Sequence, residues 1–157
     1  MNDVSDLLQE IKNYYWVNQY LATSGQPTPE QFKIIQDAGY DVVINLALPT
    51  SDYAIVNEGA IVTGLGMVYV HIPVVWEAPK LEDIRLFFGV MESLSGRKVW
   101  VHCALNMRVS CFVYLYQKLK LNLPEEQASY PMSEIWQPNE VWTQFIEDVK
   151  GALSAIA

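Results

Sequence analysis

The chain predicts an α/β fold, a mostly parallel central sheet flanked by helices, and three observations carry that prediction. Short apolar runs of strand length alternate with segments of helical periodicity, the pattern that builds strand–helix units. The runs are nearly continuous rather than alternating in polarity, as strands covered on both faces are. With 51% hydrophobic and 18% charged residues over 157 positions, the chain can fill one core, so a single domain spanning 1–157 is expected.

Asp3 to Lys12 places Val4, Leu7, Leu8 and Ile11 at helical spacing. Tyr14, Tyr15 and Trp16 follow, either as a recognition ledge or as a packed N-terminal arm, and Tyr20 to Thr23 is a short strand. Thr28-Pro29-Glu30-Gln31 reads as a helix start, with a capping hydroxyl, proline at the first position and glutamine where a capping box places it. That helix should run to Ala38 and stop at Gly39, turning Phe32, Ile35 and Ala38 inward. Val42 to Leu46 and Met67 to Ile72 are buried strands, and Ile55 to Thr63 between them forms a helix that Gly59 weakens.

Leu81, Ile84, Phe87, Phe88, Met91 and Leu94 mark an amphipathic helix ending near Gly96. A strand over Lys98 to His102 and a helix over Val109 to Lys120 come next. Pro124 to Ser129 forms a short helix. Val141, Trp142, Phe145, Ile146 and Val149 pack the last helix, Asn139 to Ala152.

The formal net charge of −8 argues against nucleic acid or an anionic membrane as partner. Two cysteines, Cys103 and Cys111, are too few for a disulfide framework and suit a reducing compartment. The polar start Met1-Asn2-Asp3-Val4-Ser5-Asp6 does not read as a signal peptide, and no apolar run is long enough to span a bilayer. A cytoplasmic protein is expected. No clustered His and Cys ligands call for a metal, and no cofactor is implied.

The chemistry concentrates in Val99-Trp100-Val101-His102-Cys103-Ala104-Leu105-Asn106-Met107-Arg108-Val109-Ser110. A strand delivers Cys103 into a tight loop, and a helix opens directly behind it. The amides of Ala104, Leu105, Asn106, Met107 and Arg108 then lack intrahelical acceptors, and the helix dipole adds partial positive charge. Such a loop is an anion site, and the same donors favour a thiolate, the nucleophilic form of cysteine. Arg108 adds a planar fork that fits two oxygens of a phosphate. Cys111, two helical turns further on, is expected in the core rather than as a redox partner.

The segment resembles the signature loop of the cysteine-dependent phosphatases, the protein tyrosine and dual-specificity superfamily: His-Cys, five residues, then Arg followed by Ser or Thr. The resemblance runs from Tyr20 to about Tyr116 and includes Tyr69-Val70-His71-Ile72-Pro73-Val74. The nearest group is the small bacterial phosphatase-like proteins, some of them beside or fused to beta-lactamase-like hydrolases. Here four residues, not five, separate Cys103 from Arg108, and Asn106 stands where the loop glycine usually is.

The resemblance implies a phosphatase-like three-layer domain that hydrolyses phosphomonoesters, phosphoprotein or small molecule, through a cysteinyl-phosphate on Cys103. It further implies that Ser110 hydrogen-bonds the leaving thiolate and that His102 orders the loop by bonding nearby backbone. His71, by contrast, reads simply as a satisfied strand residue. A general acid is expected from Val75 to Asp83, with Glu77 first and Asp83, in the first turn of a helix, second. Glu77 can equally be a solvated loop charge. Cysteine, four residues and arginine also resembles the active loop of rhodanese-type sulfurtransferases, which carry a persulfide. A catalytically weak module that binds oxyanions or phosphoproteins is the third reading.

Overall fold

The computed structural model describes residues 3–154, so residues 1–2 and 155–157 of the expected domain lie outside it, Met1 and Asn2 among them. Its elements run α1 (Val4–Leu8), β1 (Tyr15–Asn18), β2 (Leu21–Ser24), α2 (Pro29–Asp37), β3 (Val42–Asn45), α3 (Glu58–Gly64) and β4 (Val68–His71). They continue with α4 (Leu81–Ser93), β5 (Val99–His102), α5 (Met107–Leu119), α6 (Glu125–Ala128), α7 (Met132–Ile135) and α8 (Glu140–Ser154). The sheet order is β1-β2-β5-β3-β4, parallel throughout except for β1, which runs antiparallel to β2.

Strand alternation sorts the side chains into two cores. Val42, Ile44, Val99 and Val101 face one layer with Phe87, Phe112, Trp142 and Phe145 from α4, α5 and α8. Ala22, Val43 and Trp100 face the other with Leu8, Phe32, Ile35 and Val62 from α1, α2 and α3. The result is a three-layer sandwich whose central strand, β5, is buried along its whole length. Helix α5 is buried on nearly all sides, because the sheet lies beneath it and α8 packs over it.

Several boundaries differ from the sequence reading for local reasons. The first helix stops at Leu8 rather than Lys12, and the chain then turns through Asn13, whose φ of 49° no helix continues. Tyr15 and Trp16 belong to the edge strand β1, whose short aromatic run is nowhere fully buried. Tyr14 stacks on the buried Trp100 with ring centroids 5.2 Å apart, so it packs the arm to the core. Helix α2 starts as expected: the Thr28 hydroxyl accepts the Gln31 amide and the Gln31 side chain accepts the Thr28 amide. Gly39, at φ 96°, ends the segment after α2. Helix α7 carries no buried residue, which is why no periodic signal announced it.

Candidate active site

The strand register aligns Ser24, His102, Asn45 and His71 in one row at the carboxyl end of the parallel strands. Ligand sites in open α/β sheets form beyond that end. The loops leaving this row enclose a cleft of about 490 Å³ whose lining includes Ser51, Asp52, Tyr53, Trp76, Glu77, Cys103 and Arg108.

Cys103 follows β5 directly and is a buried free thiol at the floor. The four-residue loop closes through Asn106, which takes φ 69°, ψ 4°. Left-handed backbone of this kind suits Asn or Gly, so the absent loop glycine has a competent substitute. Among the described residues, none of the amides from Ala104 to Val109 donates to a protein acceptor. These are the unpaired donors that an anion would satisfy.

The carbonyls of the loop are engaged instead. The Gln26 amide donates to Ala104 O at 3.0 Å, and Asn13 Nδ2 donates to Leu105 O at 3.0 Å. Asn106 Nδ2 donates to Asn13 O at 2.8 Å and to Thr23 Oγ1 at 3.0 Å. Gly25 makes room: a Cβ there would stand 2.6 Å from Ala104 O.

Arg108 is buried within α5 and its head reaches the cleft. Nη1 donates to Val74 O at 3.0 Å and Nη2 to Ser51 Oγ at 3.3 Å, which leaves further N–H groups of the fork for a ligand. The guanidinium also lies 5.9 Å from the Trp76 ring centroid. At the mouth, Lys12 Nζ sits 3.5 Å from the centroid of the Tyr53 ring.

His102 is fully buried between two acceptors: Nε2 lies 2.6 Å from Glu58 Oε2, and Nδ1 lies 3.2 Å from Cys103 O. Gln26 Nε2 donates to the second Glu58 oxygen at 2.8 Å. Burial alone would raise the pKa of Glu58. The bond and charge of His102, with bonds from Gln26 and Tyr69, outweigh it and hold the carboxyl below its ordinary range.

Of the two acids expected, Glu77 is exposed and lines the cleft, whereas Asp83 lies away from it. Asp83 Oδ2 accepts the Lys80 amide at 3.1 Å at the start of α4, and burial raises its pKa. The Glu77 loop is tied down by Trp142, whose Nε1 donates to Trp76 O at 2.9 Å. Ser110 is not joined to Cys103 in this arrangement. Its hydroxyl donates to Met107 O at 2.7 Å and accepts Trp136 Nε1 at 3.0 Å. His71 meets Ala47 O at 2.7 Å. Cys111 is a core residue whose thiol burial pushes up to about 12.

Four participants had no signal in the sequence: Glu58, Asn13, Gln26 and Asp52. Each is an ordinary polar residue far along the chain from Cys103. Among the described residues, no three His, Cys, Asp or Glu gather to hold a metal, and no helix is long and apolar enough to cross a membrane.

A cysteine on a loop of free amides, an arginine fork at its rim and a helix opening behind it, on a sheet of this order, define a cysteine-dependent phosphatase fold. A crystal structure of a DUF442 protein from Shewanella putrefaciens CN-32, described as a candidate phosphatase, matches with 38% identity, a TM-score of 0.84, and 94% and 97% of the two chains covered. The chain belongs to that DUF442 family, and its fold is that of the tyrosine and dual-specificity phosphatases. Kinase-associated phosphatase shares the fold at 14% identity, with a TM-score of 0.78 over 94% and 98% of the chains. TpbA of P. aeruginosa, crystallised with phosphotyrosine, does so at 15% identity, with a TM-score of 0.70 over 99% and 93%. No protein-family profile and no curated protein matches the chain.

Proposed function

We propose that the protein hydrolyses phosphomonoesters through a cysteinyl-phosphate on Cys103. The observation that carries this reading is the run of unpaired amides from Ala104 to Val109 above the buried thiol, with Arg108 at the rim. Phosphoryl transfer is catalysed mainly by such positioning and charge stabilisation.

Cys103 Sγ attacks phosphorus as the ester P–O bond breaks, and Glu77 gives a proton to the leaving oxygen. Water then attacks phosphorus, the S–P bond breaks, Glu77 recovers a proton from the water, and phosphate leaves with the thiolate restored. Ala104, Leu105, Asn106, Met107 and Arg108 hold the equatorial oxygens. His102 fixes the loop through the Cys103 carbonyl. Ser110 reaches the leaving thiolate only by giving up its bond to Met107 O. Asp52 is the second carboxylate of the cleft and the competitor to Glu77.

The test is phosphate release from 4-nitrophenyl phosphate and phenyl phosphate by the wild type, Cys103→Ser, Glu77→Gln and Asp52→Asn. Cys103→Ser should be inactive. The acid should matter far more for phenyl phosphate, whose leaving group is the poorer one. No turnover above Cys103→Ser at any pH refutes the reading. Sulfur transfer from thiosulfate, or oxyanion binding without turnover, would each put one of the other two readings in its place.

A further inference from the structure

We propose that Asn13, on the N-terminal arm, is a positioning residue that aims the anion-binding amides of the shortened loop. This inference rests on reading that loop as an oxyanion cradle. In a trans peptide unit the C=O and the N–H point to opposite sides. The three units from Cys103 to Asn106 are trans, since the cis bond among the described residues is Tyr130-Pro131.

Each of their carbonyls is held from outside the cleft. Cys103 O faces His102 Nδ1, Ala104 O accepts the Gln26 amide, and Leu105 O accepts Asn13 Nδ2. The amides of Ala104, Leu105 and Asn106 therefore turn away from those partners, and none of them meets a protein acceptor. The first two holders sit beside the loop on the sheet and its continuation. The third is a side chain from 92 residues earlier in the chain.

The contact is reciprocal, because Asn13 O accepts Asn106 Nδ2 at 2.8 Å. Both asparagines sit at positive φ, 49° and 69°. Asn106 Oδ1 is buried without a partner, so its amide orientation is set wholly by what Nδ2 donates to. The arm thus holds the Leu105 carbonyl, the last of the three, from outside the loop. The arm is itself fixed by the Gly25 amide on Lys12 O at 2.7 Å and by Ile11, which is buried.

Asn13→Gly tolerates the backbone and keeps the carbonyl but removes the donor. Asn13→Asp keeps the shape and sets a carboxylate against the Leu105 carbonyl. The probe is tungstate, with affinity measured by calorimetry, alongside steady-state hydrolysis of 4-nitrophenyl phosphate and the tungstate-induced shift of the Asn106 amide proton. Wild type should bind. Asn13→Gly should bind about tenfold more weakly and Asn13→Asp more weakly still, with kcat reduced more than KM is raised. The Asn106 amide response should be lost in both. Thr23→Val, which removes another bond of Asn106 without freeing a loop carbonyl, should keep tungstate affinity within about twofold of wild type.

Wild-type binding that Asn13→Gly leaves unchanged overturns the role of Asn13 and spares the cradle. Equal loss in Thr23→Val reduces Asn13 to general support of the fold. A wild type that binds no tungstate overturns both readings.

Discussion

Glu58→Gln tests the buried support beneath the nucleophile. Glu58 is 3% exposed and accepts from two buried partners, His102 at 2.6 Å and Gln26 at 2.8 Å. Glutamine keeps the volume and still offers Gln26 an oxygen, but it turns an N–H toward the ring nitrogen that had a carboxylate. The expected loss is one charge-assisted hydrogen bond, about 1.5–3 kcal/mol. For a domain of this size that corresponds to a fall of about 3–12 °C in Tm.

The pH dependence carries the sharper sign. The folded carboxyl is held below its ordinary value of 4.5, so its contribution is complete above that pH and disappears as pH falls through the folded value. Urea unfolding of wild type and variant between neutral and acidic pH should show a constant gap down to the carboxylate range and a narrowing gap below it. An unchanged midpoint at neutral pH, or a gap that persists undiminished in acid, refutes the claim that an ionised Glu58 stabilises this pair.

Two further outcomes follow from the walls of the cleft. Gly25→Ala places a methyl 2.6 Å from Ala104 O, so the loop must shift. Activity toward aryl phosphates should fall at least tenfold with little change in far-UV circular dichroism, and an unaffected rate would show that the close approach is unimportant. Trp142→Phe deletes the bond from Nε1 to Trp76 O and leaves a cavity in the core, a loss of about 2–4 kcal/mol of stability measurable by urea unfolding. Because that carbonyl precedes Glu77, the variant should lose more rate on phenyl phosphate than on 4-nitrophenyl phosphate, and equal losses on both would dissociate the loop from proton transfer.

The fold was legible where a segment's own composition sufficed. β3 and β5 are buried on both faces and appear as continuous apolar runs. Helix α4 shows its buried stripe of Ile84, Phe87, Phe88 and Met91 at helical spacing, and α2 announces its start through Thr28, Pro29 and Gln31. β1 was hidden because its aromatic run Tyr15-Trp16-Val17 stays partly exposed and fits an arm as well as a strand, and only the pairing with β2 decides between them. The early stop of α1 was hidden as well. Its periodic apolar residues continue to Ile11, but they are buried by a turn rather than by a helix.

The candidate site divides along the same physical line. Cys103, the loop amides and Arg108 share one strand–loop–helix unit, so their proximity is local and the sequence shows it. Glu58 and Asn13 act across 44 and 92 residues, respectively, and contact of that kind is fixed by topology. The sheet order sets β5 between β2 and β3, which brings the loops after Ser24 and Asn45 to either side of the cysteine loop. One flank then supplies Gln26 to the Ala104 carbonyl and the other supplies Ser51 to Arg108. A loop shortened by one residue is therefore not a smaller copy of a longer one held by its own turns. Its geometry is a property of its neighbours, and a count of residues between Cys103 and Arg108 measures only the part of the cradle that the loop itself contributes.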